Sequence, residues 1–417
     1  LLNFYYKKNS LFVEKIPVKR IAEIVKTPFY VYSSREIIDN FLSYKKSFFN
    51  KKHLICYAVK ANSNLYILSM LARLGAGADI VSGGELLKAL KAGIPANKIV
   101  YSGVGKTQEE IELAIKKRIL MFNIESEQEF ELILKKSRDL GIKTNISFRV
   151  NPDVDPKTHP YISTGLKDNK FGISIEESLR LYNNANGKKF INISGISCHI
   201  GSQLLDLAPI KDAAVIIRDI VKKLEADGIK LKFIDLGGGL GIKYNEESPP
   251  SHLDHVQTIL DVMNDMPQTI IIEPGRAIVG NAGALITQIL YVKKHHDKTF
   301  YIVDAAMNDL IRPSIYKSYH DIVPLNRKNN ENEFINADIV GPICESGDYL
   351  AKERKMPILK QGDYLAVLSA GAYGFSMSSN YNSRPRAAEI LVRKYFIKTI
   401  RRHENFSDII NCEKQFL

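Results

Sequence analysis

Apolar, β-branched segments recur at fairly even spacing over much of the chain, at residues 54–59, 78–81, 99–102, 120–124, 146–150, 193–198, 233–236 and 269–272. Each is apolar almost throughout rather than alternating, which is the pattern of parallel strands buried on both faces. The stretches between them read as helices, and several carry a start signal. Ser33/Glu36, Ser82/Glu85, Thr107/Glu110, Ser126/Glu129 and Ser174/Glu177 set a hydroxyl three residues before a carboxylate. That spacing predicts reciprocal capping bonds to the orphan N–H groups of a helix start. Eight strands alternating with helices predict a closed (β/α)8 barrel, with a doubly wound sheet as the alternative. After Arg276 the alternation stops. Residues 284–291, 299–304, 335–340, 363–369 and 388–392 read as strands, separated by turn-rich pieces of which 326–333 is the most polar. The expected fold is an α/β protein: a (β/α)8 TIM-like barrel over 34–281 and a C-terminal antiparallel β domain over 282–417. That second domain is expected to be sandwich-like or barrel-like and to take in the N-terminal segment 1–33.

Composition narrows the class without giving a function. The 417 residues are 45% hydrophobic and 25% charged, which excludes a disordered chain. The apolar run 270–282 is broken by Glu273 and Arg276, so no stretch is expected to span a membrane. A net charge of +12 combines 58 bases with 46 acids. Those bases form no polybasic tract, so the excess reads as a solvated surface rather than a nucleic-acid footprint. Cys56, Cys198, Cys344 and Cys412 stand far apart with no Cys-x-x-Cys, and neither a metal site nor a redox dithiol is expected. With no charged leader followed by an apolar core, the expectation is a cytoplasmic protein.

Two stretches imitate phosphate loops and fail. Residues 102–107, Ser-Gly-Val-Gly-Lys-Thr, have Val100 where a P-loop needs its first glycine, and Gly237-Gly238-Gly239-Leu240-Gly241 lacks the G-x-G-x-x-G spacing. The glycine run still demands a cause. It follows the seventh strand and exposes backbone N–H groups where such barrels commonly bind phosphate, while strand eight ends alongside in Glu273-Pro274-Gly275-Arg276. Lys60 closes the first strand, where it is either a solvated rim lysine or a group able to lose its proton and form a Schiff base. A phosphate cradle with such a lysine points to pyridoxal phosphate, whose ring nitrogen then needs a partner. Glu273 is the acid in that motif. A carboxylate there keeps the ring protonated and electron-withdrawing; an arginine would favour racemisation. His199 ends the sixth strand and is either a ring-stacking residue or a satisfied core histidine, with Ser202 nearby as a phosphate donor. Further on, Arg312 and Tyr316 are four residues apart, so a helical turn would turn both to one side as a carboxylate grip; an ordinary surface turn is the alternative. Cys344 is a thiol that can donate a proton to a carbanion or merely pack.

Together these residues carry a family likeness. The chain resembles the bacterial diaminopimelate decarboxylases, fold-type III pyridoxal-phosphate enzymes related to ornithine decarboxylase and, more distantly, alanine racemase. The likeness runs from Thr27-Pro28-Phe29-Tyr30-Val31-Tyr32 to Tyr381-Asn382-Ser383-Arg384-Pro385. Its most specific parts are His159-Pro160-Tyr161-Ile162-Ser163-Thr164-Gly165, His199-Ile200-Gly201-Ser202-Gln203 and residues 307–316. The resemblance implies pyridoxal 5'-phosphate held by Lys60 as an aldimine, with Asp79 near that lysine, His199 and Arg149 at the ring, and Glu273 on the ring nitrogen. It implies phosphate contacts from Ser202, Gly237, Gly238, Gly239, Gly275 and Tyr373. Arg276, which adjoins the cofactor, would join Arg312 and Tyr316 on the substrate's distal carboxylate, with Tyr373 also at the substrate and Glu345 on the distal amine. Cys344 would be the proton donor, entering with Glu345 from a partner subunit, which implies a homodimer with shared active sites. The implied reaction converts meso-2,6-diaminopimelate to L-lysine and CO2, the last step of lysine biosynthesis. The alternatives are a decarboxylase of ornithine, arginine or carboxynorspermidine, a racemase (against which Glu273 argues) and a non-catalytic homologue that binds a partner.

Overall fold

The computed structural model describes residues 4–155, 170–327 and 333–416. The chain divides into two compact units, one of residues 40–242 and 248–277 and one of residues 1–39, 243–247 and 278–417. In the first, eight parallel strands close into a barrel: His53–Ala58, Gly77–Ile80, Ile99–Tyr101, Met121–Ile124, Thr144–Arg149, Ile191–Ser197, Phe233–Asp235 and Thr269–Ile272. The eighth returns to pair with the first, Ile271 opposite Leu54. Closure excludes the doubly wound sheet. The unbroken apolarity of the strands has the anticipated cause, since every residue of Gly77–Ile80 and Met121–Ile124 is buried. Cys56, Val100, Met121 and Ile271 pack into one apolar cluster. Several strands also carry buried polar residues, among them Asp79, Asn123, Ser147 and Asp235, with Glu273 just past the eighth.

The predicted helix starts are real, but most differ in one detail. Ser82, Thr107, Ser126 and Ser174 each accept the N–H of the residue three on, and Ser33 does the same for Glu36. The reciprocal bond forms at Thr107/Glu110. Glu85 and Glu129 instead reach one residue further back, to the N–H of Val81 and of Glu125. A missed start is Ser251, whose capping box closes with Asp254 rather than a glutamate.

The second unit holds a nine-stranded sheet with its core partly built from the chain's beginning. Its main path runs Tyr349–Pro357, Phe334–Val340, Lys298–Val303, Gly283–His295, Phe29–Ser33, Ala388–Arg393 and Phe396–Arg401. Phe29–Ser33 is wholly buried and lies between Gly283–His295 and Ala388–Arg393, so the N-terminal segment is part of this sheet. The pairing is mostly antiparallel, as anticipated, with two parallel exceptions: Phe29–Ser33 on Ala388–Arg393, and Lys298–Val303 on Phe334–Val340. Among the described residues, no helix is long and apolar enough to cross a membrane. The sequence motif 159–165 lies outside the described residues.

Asp309 in this unit is buried, and its Oδ2 accepts the Ala306 N–H at 3.0 Å. Burial, aided by Asp304 and Asp348, outweighs that bond and the charge of Arg384 and pushes the carboxyl up to about 7. The folded protein thus keeps a proton that the unfolded chain has released near 3.8. Stability contributed by that proton is present at about pH 4 and is lost as the pH rises through about 7. Asp309→Asn is expected to flatten this decline by roughly 1–3 kcal/mol, read as a smaller fall in thermal unfolding temperature across that range.

Candidate active site

The first barrel strand ends in a 3-10 turn, Val59–Ala61, that carries Lys60 at its centre. The Lys60 Nζ lies 2.6 Å from Oδ2 of Asp79, which is completely buried on the second strand. Asp79 Oδ1 has no hydrogen-bond partner among the described residues, and neither has Glu273 Oε1 beyond the eighth strand. Buried polar atoms are normally satisfied, so two orphan carboxylate oxygens at the ends of the strands flanking the first one mark an environment shaped for something else. Lys60, Arg149, His199 and Glu273 line one cavity of about 410 Å³, together with Ser102, Asn123 and Ser197.

His199 is neutral. Burial, with Arg149 and Lys60 nearby, pushes its imidazole well below the ordinary range. The Gly238 N–H donates to Nδ1 at 3.1 Å, so the ring hydrogen belongs on Nε2. Arg149 Nη1 contacts Glu125 Oε1 at 2.9 Å. Glu125 also accepts the N–H of Gly103 at 2.7 Å and of Gly172 at 3.0 Å. Burial would raise this carboxyl, but Arg149, Lys106 and those two N–H groups outweigh it and hold it below its usual value.

The glycine run has a steric cause. A Cβ on Gly238 would run into the Glu273 carbonyl oxygen. On Gly237, at φ +66°, it would sit 2.6 Å from His199 Nδ1, and on Gly239, at φ +124°, 2.6 Å from the Gly201 oxygen. Side-chain-free backbone lets the chain segments after strands six, seven and eight meet. Two of the three N–H groups are engaged within the protein, Gly237 on Asp235 and Gly238 on His199, so the run is not three open donors. Beside it, Arg276 donates through Nη2 to Ser202 Oγ at 3.0 Å. Gly275 packs on the end of the first strand and the turn after it, where a Cβ would come 3.0 Å from that of Ala58 and 2.9 Å from that of Ala61.

The imitation P-loop resolves as structure. Lys106 is buried, and its Nζ donates to Gly103 O at 2.7 Å, Asn123 O at 2.9 Å and Glu129 Oε1 at 2.6 Å. All three of its hydrogens have partners in the barrel wall.

The other predicted residues belong to the second unit. Arg312–Tyr316 is a short helix, so the four-residue spacing does fall on a helical turn. Arg312 is buried, with Nη1 3.0 Å from His320 Nε2 and its guanidinium over the Tyr244 ring. Cys344 and Glu345 are both exposed, and the Cys344 N–H donates to Asn382 Oδ1 at 3.3 Å. Tyr373 has φ +57°, a left-handed conformation costly for a bulky residue and frequent at functional sites.

Sequence reasoning missed Asp235 and Asn123. Asn123 Nδ2 donates to Asp235 Oδ2 and to Ser102 Oγ, both at 3.1 Å. The available signal was one polar residue interrupting an otherwise apolar strand.

The pattern described as "Pyridoxal-dependent decarboxylase, pyridoxal binding domain" matches residues 34–280. The diaminopimelate decarboxylase of Aquifex aeolicus is 51% identical over 97% of this chain and 96% of its own length. That of Vibrio cholerae is 47% identical over 97% of both chains. Among solved structures, the Helicobacter pylori diaminopimelate decarboxylase complexed with L-lysine superposes with a TM-score of 0.93 at 48% identity, covering 96% of this chain and all of that one.

Proposed function

The chain belongs to the diaminopimelate decarboxylases, and we propose from that premise that it converts meso-2,6-diaminopimelate to L-lysine and CO2. It is a carboxy-lyase of the pyridoxal-dependent class. The observation that carries the reading is Lys60, paired with Asp79, lining one cavity with Glu273, whose Oε1 is buried and orphan.

Pyridoxal phosphate fits these residues. An unpartnered buried acceptor on Glu273 suits a ring N–H, Lys60 suits the aldehyde carbon, and Ser202 with Arg276 offers donors for a phosphate. When bound, it supplies an electron sink for the pair left on the α-carbon as CO2 departs. Lys60 holds the cofactor, and Asp79 Oδ2 takes or returns the lysine proton. Glu273 Oε1 holds the ring nitrogen. His199, whose imidazole burial pushes well below the ordinary range, would stack on the ring without adding a charge beside it. Arg149 is fixed by Glu125 and adds a cation to the cavity wall. Gly237, Gly238, Gly239, Gly275 and Tyr373 complete the phosphate contacts. Arg276, Arg312 and Tyr316 bind the distal carboxylate, and Tyr373 and Glu345 complete the substrate contacts, Glu345 at the distal amine. Cys344 returns a proton to the α-carbon. We read the working enzyme as a cytoplasmic homodimer in which Cys344 and Glu345 serve the partner's site; their exposure supports this.

A buried arginine grip discriminates by what it leaves unpaired. An amine-terminated substrate brings no carboxylate to the cation. With meso-diaminopimelate, ornithine, arginine and L-alanine supplied separately, CO2 and lysine are expected from diaminopimelate alone. Arg312→Ala is expected to lower kcat/KM for diaminopimelate by ~10²-fold or more. CO2 from ornithine or arginine at comparable rates would overturn the specificity, and racemised alanine without CO2 would overturn the reaction class.

A further inference from the structure

Asp235 is the last residue of the seventh strand and is completely buried. Its Oδ1 accepts the Gly237 N–H at 3.0 Å, and its Oδ2 accepts the Asn123 amide at 3.1 Å. The Asn123 amide is also held by two serines, its Oδ1 accepting the Ser147 hydroxyl and its Nδ2 donating to Ser102. Burial raises the Asp235 carboxyl and its two N–H donors oppose that rise, whereas Glu273 is pushed well above its ordinary value, so of the two acids Asp235 is the one that favours the ionised form. The Glu273 carboxyl is its neighbour from the end of the eighth strand, where the Glu273 N–H donates to the Gly237 oxygen at 2.7 Å, and the two acids lie close enough to share a proton. Glu273 Oε1 is left buried and unpartnered at the cavity. Two acids in such contact inside a barrel hold one proton between them, because two adjacent buried charges of like sign cannot both form. The charged and titratable groups around the pair are Asp79 with Lys60, Cys56, Cys198, His199 and Arg149. Lys60 is in contact with Asp79 and Arg149 with Glu125, so each nearby cation is shared with another acid.

We propose that Asp235 is the proton partner of Glu273 and the positioning residue for the contact at the ring nitrogen. Before the ring arrives, Asp235, with its two N–H donors, is the ionised member and the proton rests on Glu273, which donates it to Asp235. When a cationic ring N–H donates to Glu273 Oε1, that proton passes across. The O–H bond on Glu273 breaks, an O–H bond forms on Asp235, and the negative charge moves from Asp235 to Glu273. The pair holds one proton and one negative charge before and after, and no outside acid or base takes part.

The inference rests on Glu273 being the ring-nitrogen partner, and the test separates the two. In protein loaded with cofactor carrying a 15N label in the ring, the nitrogen shift is expected to show a protonated ring in the wild type and an unprotonated one in Glu273→Gln. A protonated ring in Glu273→Gln would remove the underlying reading and this inference with it. If that reading stands, infrared difference spectra decide the rest. In cofactor-free protein, an acid carbonyl band is expected to disappear in Glu273→Gln. In loaded protein, a band at a different frequency is expected to disappear in Asp235→Asn, a near-isosteric change. A loaded wild type whose acid carbonyl region is unchanged by Asp235→Asn would overturn the transfer to Asp235. A cofactor-free band that survives Glu273→Gln would overturn the starting state.

Discussion

Lys60→Ala is expected to lower decarboxylase activity on the order of 10⁴-fold or more, the scale of losing a covalent nucleophile. The side chain does two separable things. It places a cation 2.6 Å from the fully buried Asp79, and its amine is the group that can bond the cofactor. Lys60→Arg distinguishes them: a guanidinium can keep the ion pair but cannot form the bond. The expected result is an arginine variant that folds with little change in unfolding temperature and is as inactive as the alanine one. Mass spectrometry after hydride reduction should find the cofactor on the peptide containing residue 60 in the wild type and in neither variant. The same substitution tests the proposed sharing of sites between subunits. Mixed with Cys344→Ala chains, Lys60→Ala chains should recover activity towards about a quarter of wild type, since half of randomly formed dimers are mixed and each has one intact site. No recovery on mixing would show that Lys60 and Cys344 do not come from different subunits.

Gly238→Ala is expected to be among the most damaging single-carbon changes in the barrel. The added Cβ meets the Glu273 backbone oxygen rather than the end of a flexible side chain, so relief requires moving the loop after strand seven away from that after strand eight. Overpacking of this kind costs ~3 kcal/mol or more when backbone must shift. The same movement would disturb the bond from Gly238 to His199 and the position of Glu273. A fall in unfolding temperature together with at least ~10-fold weaker cofactor retention is expected, the latter equivalent to about 1.4 kcal/mol. Gly84→Ala is the control, because its nearest atom would be 3.8 Å away. Equal effects in the two variants would mean that the glycine run is tolerant of side chains.

The barrel was legible because burial on both faces writes itself into sequence as unbroken apolar runs. The strand Tyr349–Pro357 was not, since its central Lys352, Glu353, Arg354 and Lys355 are exposed or half-buried and look like a solvated turn. Phe29–Ser33 was noticed as part of a motif but not as a central strand, because its neighbours are remote in sequence. Lys60 and Glu273 could be picked out by their positions at strand ends. Asp235 could not: its importance comes from Asn123, Gly237 and Glu273, which meet only after the barrel closes. The glycine run stood out in the sequence, but two of its N–H groups are committed within the protein. That commitment follows from His199 and Asp235 packing against it, which no spacing rule records.

The central place of Phe29–Ser33 has a consequence for how the protein is made. This strand is synthesised early, yet its partners are residues 283–286 on one side and 388–392 on the other. On a ribosome working from the N-terminus, the barrel strands can all emerge while Phe29, Tyr30, Val31 and Tyr32 still lack both neighbours. A nascent chain therefore carries an adhesive apolar ribbon until residues 283–286 and 388–392 have been made. Chaperone engagement and premature termination downstream of the barrel should thus bear on the fate of the chain's first residues as much as its last.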